Sequence, residues 1–163
     1  MADASPTGLG AFLRINNEVK EYAFDFITAE DERILKVKKL GSEGQQVWEG
    51  LVLLAALRLW RHHWQDKRVS LQVKSDSVSA LILIVKMKTS GVGTSILARE
   101  MALNIADALY EPNVCEHIPG IANVIADHLS RMTEQADAPL PAQLRHARRR
   151  YFEPRDRDWW RTL

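Results

Sequence analysis

The chain has 163 residues, 46% of them hydrophobic and 26% charged, with a formal net charge of +1. That length suits one domain with its own core and is too short for two domains and a linker. The near-neutral balance excludes global steering toward a polyanion, so a nucleic-acid site would have to be local. The single cysteine, Cys115, excludes an intramolecular disulfide and fits a buried thiol in a reducing compartment. No N-terminal apolar segment has the make-up of a signal peptide. The longest uncharged apolar runs, 51–57 and 80–85, fall far short of the roughly 20 residues that span a bilayer. An intracellular protein of cytoplasm or nucleus, without a membrane partner, is the expectation.

In chain order, 8–16 and 18–27 alternate aromatic or aliphatic with polar residues through Val19, Tyr22, Phe24 and Phe26, which predicts two strands joined by a tight turn at Asn16 and Asn17. A third strand is expected over 33–38, completing an antiparallel meander. Asp3 stands at its very start, where Gly8 and Gly10 would let a backbone or a ligand approach. Ser42 and Gln45 fit a capping box before a long apolar helix from about 46 to 63, whose breadth implies burial against a sheet. Residues 69–75 alternate cleanly as a strand ending in Ser75-Asp76-Ser77. Helices are expected over 78–87 and 95–110, the latter stopped by Glu111-Pro112-Asn113, then a last short strand over 114–117. Pro119 and Gly120 punctuate the chain. Asn123 is a candidate N-cap for a helix carrying Val124, Ile125, Leu129 and Met132 on one side and Asp127 on the other. Residues 133–163, with Pro139, Pro141, the basic run 145–150 and Trp159-Trp160, read as a disordered tail or linker, in which Arg148 to Arg150 are either solvated or a phosphate contact.

Each acid in this pattern also has an ordinary structural reading. Asp127 and Glu49 lie in the first two turns of helices, where the dipole favours a carboxylate. Asp76 could N-cap the following helix, although the C-terminal edge of strands in open α/β sheets is also where ligands bind.

Three strands, helix, strand, two helices, strand and helix is the ribonuclease H-like order of elements. Asp3-Ala4-Ser5-Pro6 with Gly8 and Gly10, Glu49 on the first long helix, Ser75-Asp76-Ser77, and His117-Ile118-Pro119-Gly120 with Asn123 to Arg131 resemble the RNase H domain of retrotransposon reverse transcriptases. The resemblance covers about residues 2–131. It implies an α/β domain over 1–132 with a mixed five-stranded sheet, three antiparallel strands then two parallel, whose first strand is truncated, since only Met1 and Ala2 precede Asp3. It implies that Asp3, Glu49, Asp76 and Asp127 are metal ligands and catalytic, that His117 assists proton transfer or product release, and that Asn123, Ser5 and Ser77 support the site or substrate. It further implies Mg²⁺ as cofactor (two ions, with Mn²⁺ a substitute), an RNA/DNA hybrid as substrate, and the polymerase domain of the same polyprotein as partner.

Four carboxylates suit that chemistry. Mg²⁺ takes oxygen ligands and keeps waters, so two ions about 4 Å apart can share carboxylates and a scissile phosphate. Discrimination for RNA would rest on 2′-hydroxyls in a wide, shallow minor groove. The competing expectation is a catalytically silent RNase H-like connector or duplex-binding domain. A transposase- or integrase-type strand transferase ranks behind both, because it matches the last motif poorly.

Overall fold

Asn16 and Asn17 both take left-handed backbone angles (φ 51° and 64°), the geometry of a two-residue hairpin turn that asparagine tolerates well. They join β2 (Gly8–Ile15) to β3 (Glu18–Phe26). The computed structural model describes residues 1–77, 80, 91–107, 111–119, 123–135 and 137–163. Apart from Ala80, the expected helix over 78–87 lies outside them, as do the glycine of the Pro119-Gly120 pair and the side chain of Cys115.

Ahead of β2 comes a separate three-residue strand, β1 (Ala2–Ala4), antiparallel to it with Asp3 opposite Gly10. Pro6 interrupts the two, and the Ser5 N–H donates to the Gly8 carbonyl at 2.9 Å. The antiparallel meander is therefore β1-β2-β3, and the strand expected over 33–38 is not formed. That region is instead α1 (Ala29–Leu35), started by a capping box in which Thr28 and Asp31 satisfy one another's backbone N–H groups and ended by Lys36 in the left-handed region. The run of Glu30, Asp31 and Glu32 in the first turn favours the helix through its dipole.

The long apolar helix is α2 (Gln45–Leu59), preceded by a single 3₁₀ turn at Ser42–Gly44 and followed by another at Arg61–His63. No side chain caps α2; the anticipated Ser42–Gln45 box is replaced by the 3₁₀ turn, which frees Gln45 for other contacts. Then come β4 (Ser70–Ser75), α3 (Val92–Ala106), β5 (Glu111–His117) and α4 (Val124–Arg131). Glu111-Pro112-Asn113 thus opens a strand rather than only stopping a helix.

Among the described residues the strands form two sheets where one of five strands was expected. One is four-stranded and mixed, in the order β1-β2-β3-β6, where β6 (Arg148–Arg150) runs parallel to β3; the other is the parallel pair β4-β5. β4 lies beside β1 without entering its ladder. Period-two alternation divides β2 between two cores. Leu9 and Ala11 face α2 in the larger one, whereas Phe12 faces α4 with Tyr22, Ala126, Leu129 and Leu144. Gly8 and Gly10 fall on the α4 side, and a Cβ on Gly10 would lie 2.3 Å from the backbone nitrogen of Ser130. Only glycine permits that approach.

Residues 133–163 are not a disordered tail. β6 adds to the sheet, and Phe152, Trp159 and Trp160 are buried in the larger core. The Arg155 guanidinium donates to both oxygens of Asp31 (2.9 Å), to Asp25 (3.1 Å) and to the Phe26 carbonyl (2.8 Å). Arg58 donates to the Trp159 carbonyl at 2.7 Å and to Glu100 at 2.5 Å, with its guanidinium stacked 4.3 Å from the Trp159 ring. The proline- and arginine-rich look of this stretch concealed four buried aromatic or cationic anchors, Phe152, Arg155, Trp159 and Trp160.

Removing one partner of a buried, fully bonded ion pair leaves the other charge stranded, at a cost of about 3–5 kcal/mol. Arg155→Ala is accordingly expected to lower unfolding free energy by about 3 kcal/mol or more, read from urea denaturation. A change below 1 kcal/mol would show that the tail is not integral to the fold.

Candidate metal centre

Asp3 points from β1 to the face where Gly8 and Gly10 admit α4, and it is only 4% exposed. That close approach is what lets the Ser130 hydroxyl donate to Asp3 Oδ2 at 3.1 Å. Glu49, also buried, reaches the end of β1 from the second turn of α2. Its Oε1 accepts the Ala4 N–H at 3.2 Å and the Gln45 amide at 2.9 Å, while the same amide donates to the Ala4 carbonyl at 2.6 Å. Gln45 therefore clamps the α2 start to β1. The other oxygen, Oε2, is buried without a hydrogen-bond partner.

Asp76 follows the last residue of β4. Next to it, the Ser77 hydroxyl accepts the Ala80 N–H at 3.2 Å. The Asp76 carboxylate joins the other two: one ligand oxygen each from Asp3, Glu49 and Asp76 lie within 4.8 Å of one another. The edge of the β4-β5 pair also carries His117, opposite Ser75 in register, with its Nε2 2.9 Å from the Asp76 carbonyl. His117 is exposed there.

Asp127 is not in that set. It lies in the first turn of α4, half exposed, and accepts from Arg131 Nε at 3.0 Å across one helical turn. It is close enough to push the Asp3 carboxyl upward electrostatically. Asn123 precedes α4 but makes no side-chain cap; buried, it donates to the Ala2 carbonyl at 3.4 Å and so ties the helix start to β1. Ser5 is engaged internally, donating to the Ser130 carbonyl and accepting the Gly8 N–H, both at 2.9 Å. Of the residues that position two of the acids, Ser130 was not singled out from sequence and Gln45 was read only as a capping-box residue. The i, i+4 spacing of Gln45 and Glu49 was the available signal.

The electrostatics follow from packing. Burial raises the Asp3 carboxyl to about 7, with the neighbouring Asp76 adding to the shift and the Ser130 hydroxyl opposing it. Burial also raises Glu49 to about 9, helped by Asp3 and Asp76 and opposed by the bonds from Gln45 and Ala4. Crowded, desolvated carboxylates are a poor resting state for three anions and a good one for a divalent cation. The donor set is all oxygen, which fits hard ions such as Mg²⁺ or Mn²⁺. A cavity of about 440 Å³, lined by Leu13, Arg14, Leu57, Trp60 and Leu71 among others, opens elsewhere between β2 and β4, and none of the three carboxylates lines it.

Comparison with known proteins returns no significant match to any family model, curated protein or solved structure. Among the described residues, no helix is long and apolar enough to cross a membrane.

The raised carboxyls fix a pH dependence. Asp3 and Glu49 ionise in the unfolded chain near pH 4 but in the folded chain only near 7 and 9. Folding therefore takes up protons in that window, and stability in metal-free buffer falls as pH rises from about 4 to 9. Urea midpoints should decline over this range, flatten in Asp3→Asn and Glu49→Gln, and recover on adding Mg²⁺. A parent midpoint that rises from pH 5 to 8 without metal would contradict the cluster's electrostatics.

Proposed function

We propose that the chain is a metal-dependent endoribonuclease domain of the ribonuclease H-like class, hydrolysing the RNA strand of RNA/DNA hybrids, within a retroelement reverse transcriptase polyprotein. The observation that carries this reading is the convergence of Asp3, Glu49 and Asp76 from β1, α2 and β4. These acids, far apart in sequence, are three of the four singled out by the motif resemblance. Their meeting at a strand end is what a shared cation site requires, and an ordinary dipole-favoured surface acid has no reason to seek the others.

Asp3, Glu49 and Asp76 would hold the metal, with Asp127 a fourth ligand if its pairing with Arg131 opens. When bound, Mg²⁺ or Mn²⁺ makes a water nucleophilic at neutral pH and offsets charge on the attacking and leaving oxygens. The protein's own share is positioning. Ser130 holds Asp3 in one rotamer, Gln45 and the Ala4 N–H hold Glu49, and these supports spare the site the cost of ordering at the moment of reaction. His117, exposed beside Asp76, is in reach to carry a proton at the rim of the site. The net charge of +1 gives the chain little general pull on a polyanion, so hybrid affinity would come largely from a polymerase domain on the same polypeptide, through effective concentration.

The second reading, a silent duplex-binding domain, draws on the pairing of Asp127 with Arg131, which leaves three acids together rather than four. A labelled hybrid separates the two. The parent is expected to cut the RNA strand with Mg²⁺ or Mn²⁺, to stop in EDTA, and to lose about a hundredfold or more in Asp76→Asn, since metal stabilisation of this transition state amounts to several kcal/mol. Hybrid retention without cleavage in every divalent ion would favour the silent domain.

A further inference from the structure

The 3₁₀ turn Arg61–His63 that closes α2 brings two adjacent imidazoles against β3. The His62 and His63 rings lie with centroids 4.2 Å apart. One ligand atom each from Glu21, His62 and His63 fall within 4.8 Å of one another. His63 Nε2 is buried without a hydrogen-bond partner and lies 3.5 Å from Glu21 Oε1. Arg150 of β6 takes the other oxygen, Oε2, at 3.2 Å. The carboxylate is thus held in place from one side while its second oxygen and an imidazole nitrogen face each other with no proton bridge between them.

We infer that Glu21, His62 and His63 form a transition-metal site, distinct from the carboxylate cluster, suited to an ion of the zinc class. Two imidazoles and one carboxylate are a borderline-soft set that Zn²⁺ favours and Mg²⁺ does not. Bonds of about 2.0–2.2 Å require the donors to draw together; His62 is exposed, and its bond to the Leu59 backbone is the kind of outer contact that orients a ligating imidazole. Three protein donors leave a fourth position for water or an outside ligand. Glu49 and His62 are separated by 13 residues of α2 and its closing turn, about 20 Å at the helical rise, so one ion cannot serve both clusters. The Arg150 guanidinium opposes a cation electrostatically, and in exchange it orients Glu21 as an outer partner does at metal sites. An ion here would pin the end of α2 to β3 and, through Arg150, to the strand contributed by the C-terminal segment.

Titration of the whole chain with Co²⁺, followed by visible absorption, tests this directly, because four-coordinate nitrogen-containing Co²⁺ absorbs far more strongly than ions in six-oxygen sites. Bands saturating at one equivalent are expected in the parent and in Asp76→Asn. They should vanish in His62→Gln/His63→Gln, weaken in Glu21→Gln, and be displaced by Zn²⁺. Far-UV circular dichroism without metal checks that the variants are folded. Absence of bands in the parent, their persistence in the double-histidine variant, or their loss in Asp76→Asn would each overturn the site, and none of these bears on hybrid cleavage.

Discussion

Three carboxylates forced into near contact are the constraint on which the rest of this structure turns. Burial and the neighbouring acids raise the carboxyls of Asp3 and Glu49 to about 7 and 9, and the chain supplies no buried lysine or arginine to that group among the described residues. What it supplies is rigidity: the Gly8 and Gly10 gap that seats α4, the Ser130 bond to Asp3, and the Gln45 clamp between α2 and β1. A fold that only tolerated these acids would let them turn to solvent. Here they are braced toward one another, which is the arrangement a divalent ion stabilises.

The bracing extends to the C-terminal segment. α2 carries Glu49 near its start and Arg58 near its end, and Arg58 is locked between Glu100 of α3 and the Trp159 carbonyl. Glu100 in turn accepts from the backbone and hydroxyl of Thr162 (both 2.7 Å) and from the Arg161 N–H. Although burial pushes the Glu100 carboxyl upward, those bonds and Arg58 outweigh it and hold the group below its usual range. The segment that closes the chain therefore fixes the helix that presents a site acid, together with Arg155 at the start of α1.

The sequence made parts of this legible and hid others for identifiable reasons. Alternation in 8–27 and 69–75 and the apolar body of α2 are strong periodic signals, and each yielded the element expected. The three acids that meet were all nominated from motif and position. Residues 33–38 misled because Ile34, Leu35 and Val37 have the composition of a strand, while the deciding information was the Thr28-Asp31 capping box upstream. The tail misled because proline and arginine content suggests disorder; burial of Arg155 against Asp31 depends on a partner 124 residues away, which local composition cannot encode. The division into two sheets was equally invisible, since whether β4 enters the β1 ladder depends on tertiary spacing. Asp127 was nominated as an equal fourth ligand, and its i, i+4 spacing to Arg131, readable in advance, foretold the pairing it makes.

The most direct measurement on the central claim is an anomalous difference map from crystals soaked in Mn²⁺ at neutral pH. The account predicts density in contact with the carboxylates of Asp3, Glu49 and Asp76, with Asp127 drawn toward it from Arg131. No density at the cluster, with the three carboxyl groups hydrogen-bonded to one another instead, would contradict it.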